Sequence, residues 1–408
     1  MAAGVDDELL RVGAALRHLV RASYTLHPDA VPAVVADAAA HLGGRDVVLL
    51  IADLDQEAMR PLHGPGDETP PGLPIDGTVA GAAFRSLEPT TEPAPGGGRQ
   101  VWAPILDSAD RLGVLGLVDD GEVPLDSWMD VAGLLGELLV SKAQYGDSIA
   151  FTQRVTPMSI AAELRWGLLP PLQFVSPSVT IAGIVHPPHQ IAGDAFDYAV
   201  TGRTASIAVF DAMGHGLEAA RLANLAVGAY RNIRRRAGTL ADALHAADDI
   251  VSSEFAEACF VTAQLADVDL DTGLLRVLNA GHPPPLLLRD GKAEILACPP
   301  TRPLGLGVDP PAPFEVDLQP DDVVLFHTDG VTEARAADGE QFGEVRLGET
   351  VLELCGHGLP LPEVLRETVK VVLEHTHGPP TDDATLVGVS WCPEPRSRVE
   401  RHAEGSRS

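Results

Sequence analysis

The period of the apolar positions changes along the chain, and each change marks an element. Residues 7–24 carry Leu9, Leu10, Val12, Leu16, Leu19 and Val20 close to one face of a 3.6-residue period, which predicts an amphipathic helix. Residues 29–42 repeat the pattern and stop at Gly43-Gly44, a C-terminal helix signal. Residues 46–54 form a nearly unbroken apolar run, as a buried strand does. A turn-rich stretch over 63–76 leads to a short helix at 78–86. Strands at 100–106 and 112–118, joined by a turn at 107–110, precede a helix at 125–143. This order predicts an α+β domain over residues 1–144, built on an antiparallel sheet.

Residues 145–172 read as a helical connector. Ile160, Leu164 and Leu168 are helically spaced, and Pro170-Pro171 ends the run. Such a helix either runs on from the first domain, passing a signal or pairing two protomers, or simply docks. Over 173–392 the pattern turns strand-rich. Strands are expected at 179–185, 205–210, 260–268, 274–278, 285–288, 293–296, 322–326 and 384–391, with a hairpin turn at Arg289-Asp290-Gly291-Lys292. Helices fit 217–236, 240–255, 344–355 and 361–375. Many hairpin strands and four amphipathic helices predict a sheet sandwich flanked by helices. The polar tail over 393–408 is expected to be disordered.

Composition narrows the function classes. The 408 residues leave room for two or three domains, and 45% hydrophobic residues suffice to build their cores. With 58 acidic side chains against 29 basic ones, the formal charge is −29, which argues against nucleic acid as a partner. Cys259, Cys298, Cys355 and Cys392 lie far apart without a CxxC pair, so neither zinc nor a disulfide framework is expected. No basic-then-apolar leader and no run of ~18 apolar residues is present, so the expected setting is cytoplasmic, away from membranes.

Candidate chemistry lies in aspartates that recur at strand ends. Asp211 follows the apolar run 207–210 and opens Asp211-Ala-Met-Gly-His-Gly216. Asp329 follows 323–328 and precedes Gly330; Asp382 and Asp383 enter the strand at 384; Asp194 follows Gly193, with Asp197 three residues on. Each has a plain alternative: a helix N-cap for Asp211, an Asp-Gly turn for Asp329, a solvated loop for Asp382 and Asp383, an edge strand for Asp194 and Asp197. Taken together they point to an oxygen-lined site for hard divalent cations, since buried carboxylates brought close without a cation are costly.

Two resemblances sharpen this reading. The segments Ile75-Asp-Gly-Thr-Val-Ala-Gly-Ala-Ala-Phe84, Trp102-Ala-Pro-Ile-Leu106 and Leu112-Gly-Val-Leu-Gly-Leu117 resemble the second half of a GAF domain, implying either a small-molecule sensor or an interaction module without ligand. Residues 168–391 resemble the PP2C-type phosphatases, in particular the bacterial SpoIIE and RsbU-like serine phosphatases. The motifs are Leu168-Leu-Pro170, Ala192-Gly-Asp-Ala-Phe-Asp197, Asp211-Ala-Met-Gly-His-Gly216, Asn279-Ala-Gly-His-Pro-Pro284, Pro303-Leu-Gly-Leu306, Thr328-Asp-Gly-Val-Thr-Glu333 and Asp382-Asp-Ala-Thr385. Ala192 departs from the family's usual glycine.

The resemblance implies an αββα sandwich and a centre of two Mn²⁺ or Mg²⁺ ions. In it Asp211 bridges both ions, and the Ala212 carbonyl binds one. Asp329 and Asp382 complete the second ion's shell, with Asp383 as the alternative in register, and Asp194 acts at the first ion, directly or through water. Asp197 is a weaker candidate. His215 is a candidate proton donor to the leaving serine oxygen, whereas His282 reads as part of a turn. The implied reaction is hydrolysis of phosphoserine on a protein, an STAS-like anti-sigma-factor antagonist in a partner-switching pathway, tuned by the N-terminal domain. A catalytically inactive phosphatase fold that sequesters a partner is the alternative; its mark would be loss of these aspartates, and all are present.

Overall fold

The computed structural model describes residues 2–63, 70–107, 110–189, 193–254, 259–309, 312–376 and 382–393, with side chains from residue 8 onward. Part of the expected turn at 63–76, residue Ala192, and the tail from 394 lie outside the described residues. The chain divides into two compact units, Met1–Met158 and Ser159–Ser408.

The first unit is the expected α+β domain. Its antiparallel sheet runs Leu73–Pro74, Ala58–Pro61, Arg45–Ala52, Asp110–Asp119, Arg99–Asp107, Thr90–Pro93 in spatial order. The apolar run in Arg45–Ala52 is continuous because both faces are covered. Leu49 and Ile51 pack with helices Ala2–Ser23, Val31–Ala40 and Leu125–Ala143 around Trp128. Leu50 and Ala52 meet Phe84 of helix Val79–Ser86 on the other face. The Thr78 side chain caps that helix, accepting from Gly81 N at 3.0 Å. The three short outer strands fall in Pro- and Gly-rich sequence, where no alternation announces them.

The connector is not one helix. Leu125–Ala143 stops, Ser148–Gln153 belongs to the first unit, and Ile160–Leu168 belongs to the second. The last of these also turns the opposite way from its apolar spacing. Ile160 is 72% exposed and Leu164 42%, while Ala161, Ala162 and Arg165 are buried. An ion pair of Arg165, described below, overrides the leucine pattern.

The second unit is the expected αββα sandwich. One sheet is ordered Pro300–Thr301, Leu274–Ala280, Val261–Asp269, Thr204–Ala212, Asp194–Thr201, with Phe314–Asp317 also paired to Leu274–Ala280. The other is ordered Lys292–Ile295, Leu286–Arg289, Val323–His327, Ala384–Trp391, Val179–His186, Gln173–Val175. Ile181, Phe196, Val209, Val277, Phe326 and Val387 fill the space between them. Helices Leu217–Arg234 and Leu240–Glu254 cover the first sheet, and Gly343–Gly356 and Leu361–Thr376 cover the second. No described helix is long and apolar enough to cross a membrane. All four cysteines are free thiols.

Candidate metal centre at the seam of the two sheets

The aspartates converge where the two sheets meet. Asp194 and Asp211 stand directly opposite each other at the ends of adjacent antiparallel strands. From the second sheet, Thr328 ends Val323–His327 and Asp329 opens a single helical turn, Asp329–Thr332. Asp382 and Asp383 lead into the neighbouring strand Ala384–Trp391. Two backbones touch here: a Cβ on Gly330 would lie 1.9 Å from the Asp383 carbonyl oxygen, so only glycine fits.

The plain alternatives for several of these residues do not hold. Asp211 is no helix cap, because Gly216 occupies that position for Leu217–Arg234. Gly214 and Gly216, at φ 91° and 76°, let the intervening turn form. Asp194–Thr201 is an edge strand, as its spacing allowed, but not that alone: Asp194 is buried and accepts from Thr328 Oγ1 at 2.7 Å across the seam. Asp197 has a different role. It is buried between Arg231 and Arg234, at 2.6 and 2.8 Å, and ties its strand to a covering helix.

Mutual repulsion shows in the protonation equilibria. Burial, then Asp211 and Asp383, push the Asp194 carboxyl well above the usual carboxylate range. Burial, then Asp329, Asp382 and Asp383, push Asp211 up to about 7. Burial and Asp382 raise Asp329 as well. Thr262 Oγ1, 3.5 Å from Asp211 Oδ2, gives little relief, and it also meets His282 Nδ1 at 2.8 Å. Burial lowers His282 to about 3, so the neutral ring buttresses Thr262. Asn279 fixes that ring by accepting from His282 N at 2.8 Å, in keeping with the turn expected there.

Asp382 and Asp383, adjacent in sequence, differ in surroundings. Asp383 Oδ1 accepts from Arg165 Nη1 at 2.7 Å, and its Oδ2 accepts from Gly193 N at 2.7 Å and Asp194 N at 3.3 Å. Burial still raises it, with the Arg165 charge working against the rise. Asp382 is exposed and lines a cavity with Asp329. Ala212 is buried beside Gly193, where a Cβ would come within 2.9 Å of the Ala212 carbonyl oxygen. His215 is exposed on the turn after Asp211.

The donor set suits hard divalent cations: carboxylate oxygens and a strand-end carbonyl, with no basic side chain committed to Asp211. The fit is one of charge. Among the described residues, no three carboxylate, imidazole or thiol groups already form a closed shell around one point. Sequence reasoning missed Thr262, Thr328 and Arg165. Arg165 left a faint signal, a charged residue inside an otherwise small and apolar helix face.

Residues 201–391 match the family model for stage II sporulation protein E (SpoIIE). Protein IcfG of Synechocystis sp. is 29% identical over 155 residues, 36% of this chain and 23% of that protein, so the match spans about a quarter of the relative's length. The SiaA-PP2C domain of Pseudomonas aeruginosa is a structural neighbour at 24% identity and TM-score 0.49, covering 57% of this chain and 94% of that one. The RsbU and RsbW domains of Rv1364c from Mycobacterium tuberculosis align at 26% identity and TM-score 0.46, covering 53% and 61%. The SpoIIE-matching region lies within the second unit and holds Asp211, Asp329 and Asp382.

Proposed function

We propose that this chain is a metal-dependent protein serine/threonine phosphatase. The observation that carries the reading is the meeting of Asp194, Asp211, Asp329 and Asp382 from two sheets, with Asp211 raised to about 7 by burial and like charge and the last three inside the SpoIIE-matching region. Two Mn²⁺ or Mg²⁺ ions, when bound, supply Lewis-acid activation of water and neutralise phosphoryl charge.

The chain's own residues divide the remaining work. Asp211, Asp329, Asp382 and the Ala212 carbonyl would hold the ions, and Asp194 would add a carboxylate beside Asp211. Asp383 anchors the 193–194 backbone. Thr262 and Thr328 orient Asp211 and Asp194. His215, exposed beside Asp211, donates the proton to the leaving serine oxygen. The substrate we infer is phosphoserine on an STAS-like anti-sigma-factor antagonist, supported by the RsbU-like motifs. The first unit acts as a GAF-like sensor or interaction module, supported by its antiparallel sheet flanked by helices.

The test is phosphate release from a phosphoserine-bearing antagonist protein by the purified chain. Release with Mn²⁺, abolished by chelator and by Asp211→Asn, is the expected result. Release that survives both treatments would sink the proposal.

A further inference from the structure

We propose that the cavity beside Asp329 and Asp382 is a recognition subsite for the phosphosubstrate. It takes an aliphatic side chain next to the phosphoserine, and Arg335 pairs with an acidic residue that follows it. This rests on the phosphatase reading above and names the substrate chemistry of the same site.

The cavity measures about 310 Å³, at the lower end of the ~300–1,000 Å³ typical of ligand pockets. Two of the aspartates of the metal centre form part of its lining, so a phosphoryl group held there stands beside the cavity. Helix Leu361–Thr376 lends it Val369, Val372 and Leu373, apolar side chains that suit an aliphatic group, with Thr376 at the end of the helix.

Charge selects the neighbouring residue. Among the described residues, Arg335 is the one cation on this lining, which also carries Asp329, Glu333 and Asp382. Its Nη1 donates to the Gly339 carbonyl at 3.1 Å, which anchors the side chain, and its backbone bridges to Gln341 across a small hairpin. Arg335 makes no ion pair with any described residue, and its other N–H groups match the two oxygens of a carboxylate. Elsewhere on this lining an acidic substrate residue meets repulsion, so one acidic position is accepted and others are disfavoured.

Three substrates separate the possibilities: a peptide containing phosphoserine-Leu-Glu, its phosphoserine-Gly-Gly counterpart, and p-nitrophenyl phosphate, each with Mn²⁺. The wild type is expected to prefer the Leu-Glu peptide by about tenfold or more in kcat/KM. Arg335→Gln should lower kcat/KM for that peptide by about tenfold while leaving p-nitrophenyl phosphate within about twofold, with partial rescue by Arg335→Lys. Leu373→Ala should weaken the same preference. Equal losses on peptide and small ester, or no loss on either, overturn the subsite. If the wild type hydrolyses none of the three and releases no phosphate from the antagonist protein, the phosphatase reading fails. Calorimetric binding of the Leu-Glu peptide to the Asp211→Asn chain then still decides the subsite, by its loss or survival on adding Arg335→Gln.

Discussion

Arg165 Nη1 lies 2.7 Å from Asp383 Oδ1, and both side chains are 1% exposed. Arg165 Nη2 also reaches the Pro187 carbonyl at 2.6 Å. Helix Ile160–Leu168 thereby grips the residue that holds the 193–194 backbone beside Asp211.

Arg165→Met should therefore act twice. Leaving Asp383 charged, buried and unpaired costs about 3–5 kcal/mol of unfolding free energy in denaturant titration. Mn²⁺ affinity by calorimetry should also fall, because Gly193 and Asp194 lose their anchor. Unchanged stability would mean that Asp383 finds another partner.

Asp211 gives a signed pH dependence. Its folded-state pKa of about 7 lies above the ordinary 3.8, so the folded state binds its proton more tightly than the unfolded one. The resulting destabilisation is full above pH 7 and fades as the pH falls from about 7 towards 4. Metal-free Asp211→Asn should thus melt above the wild type at pH 8, with the gain shrinking at pH 5. Adding Mn²⁺ should reverse the order at pH 8. Melting curves of both proteins at both pH values, with and without metal, check this.

Asp197→Asn should separate structure from chemistry. Arg231 and Arg234 are 22% and 16% exposed, so water screens part of the loss. A cost of about 2 kcal/mol is expected, below that of a fully buried pair. Mn²⁺ affinity should stay within about twofold, whereas loss of a ligand would change it far more.

Gly330→Ala places a methyl group 1.9 Å from the Asp383 carbonyl oxygen, a backbone atom that cannot swing aside. About 1–3 kcal/mol of destabilisation is expected from the forced shift, along with weaker Mn²⁺ binding. A variant with wild-type melting and metal affinity would show that the two segments are not clamped.

Much of this was legible in the chain, because the strands ending at Ala212 and His327 are apolar runs that stop at Asp, and strands have a short period. The helix at 160–168 was legible as a helix but not in its orientation. Arg165 is buried by a residue 218 positions away, and no local pattern encodes that. Asp194–Thr201 is the edge strand its spacing allowed, but its part in the site was equally hard to read. Its buried Asp197 looks out of place until Arg231 and Arg234 arrive from a distant helix. The aspartates themselves were visible through their glycine neighbours. The threonines that steer them were not, since Thr262 and Thr328 look like ordinary strand residues.

Asp194 and Asp211 ride on one sheet, Asp329 and Asp382 on the other. Neither layer, folding alone, holds more than half of the centre. Long-range contacts of this kind form late, after the slow search for non-local strand partners. Turnover would then appear in refolding only with the last docking of the layers, and a ligand that pries them apart would silence the enzyme without touching an aspartate.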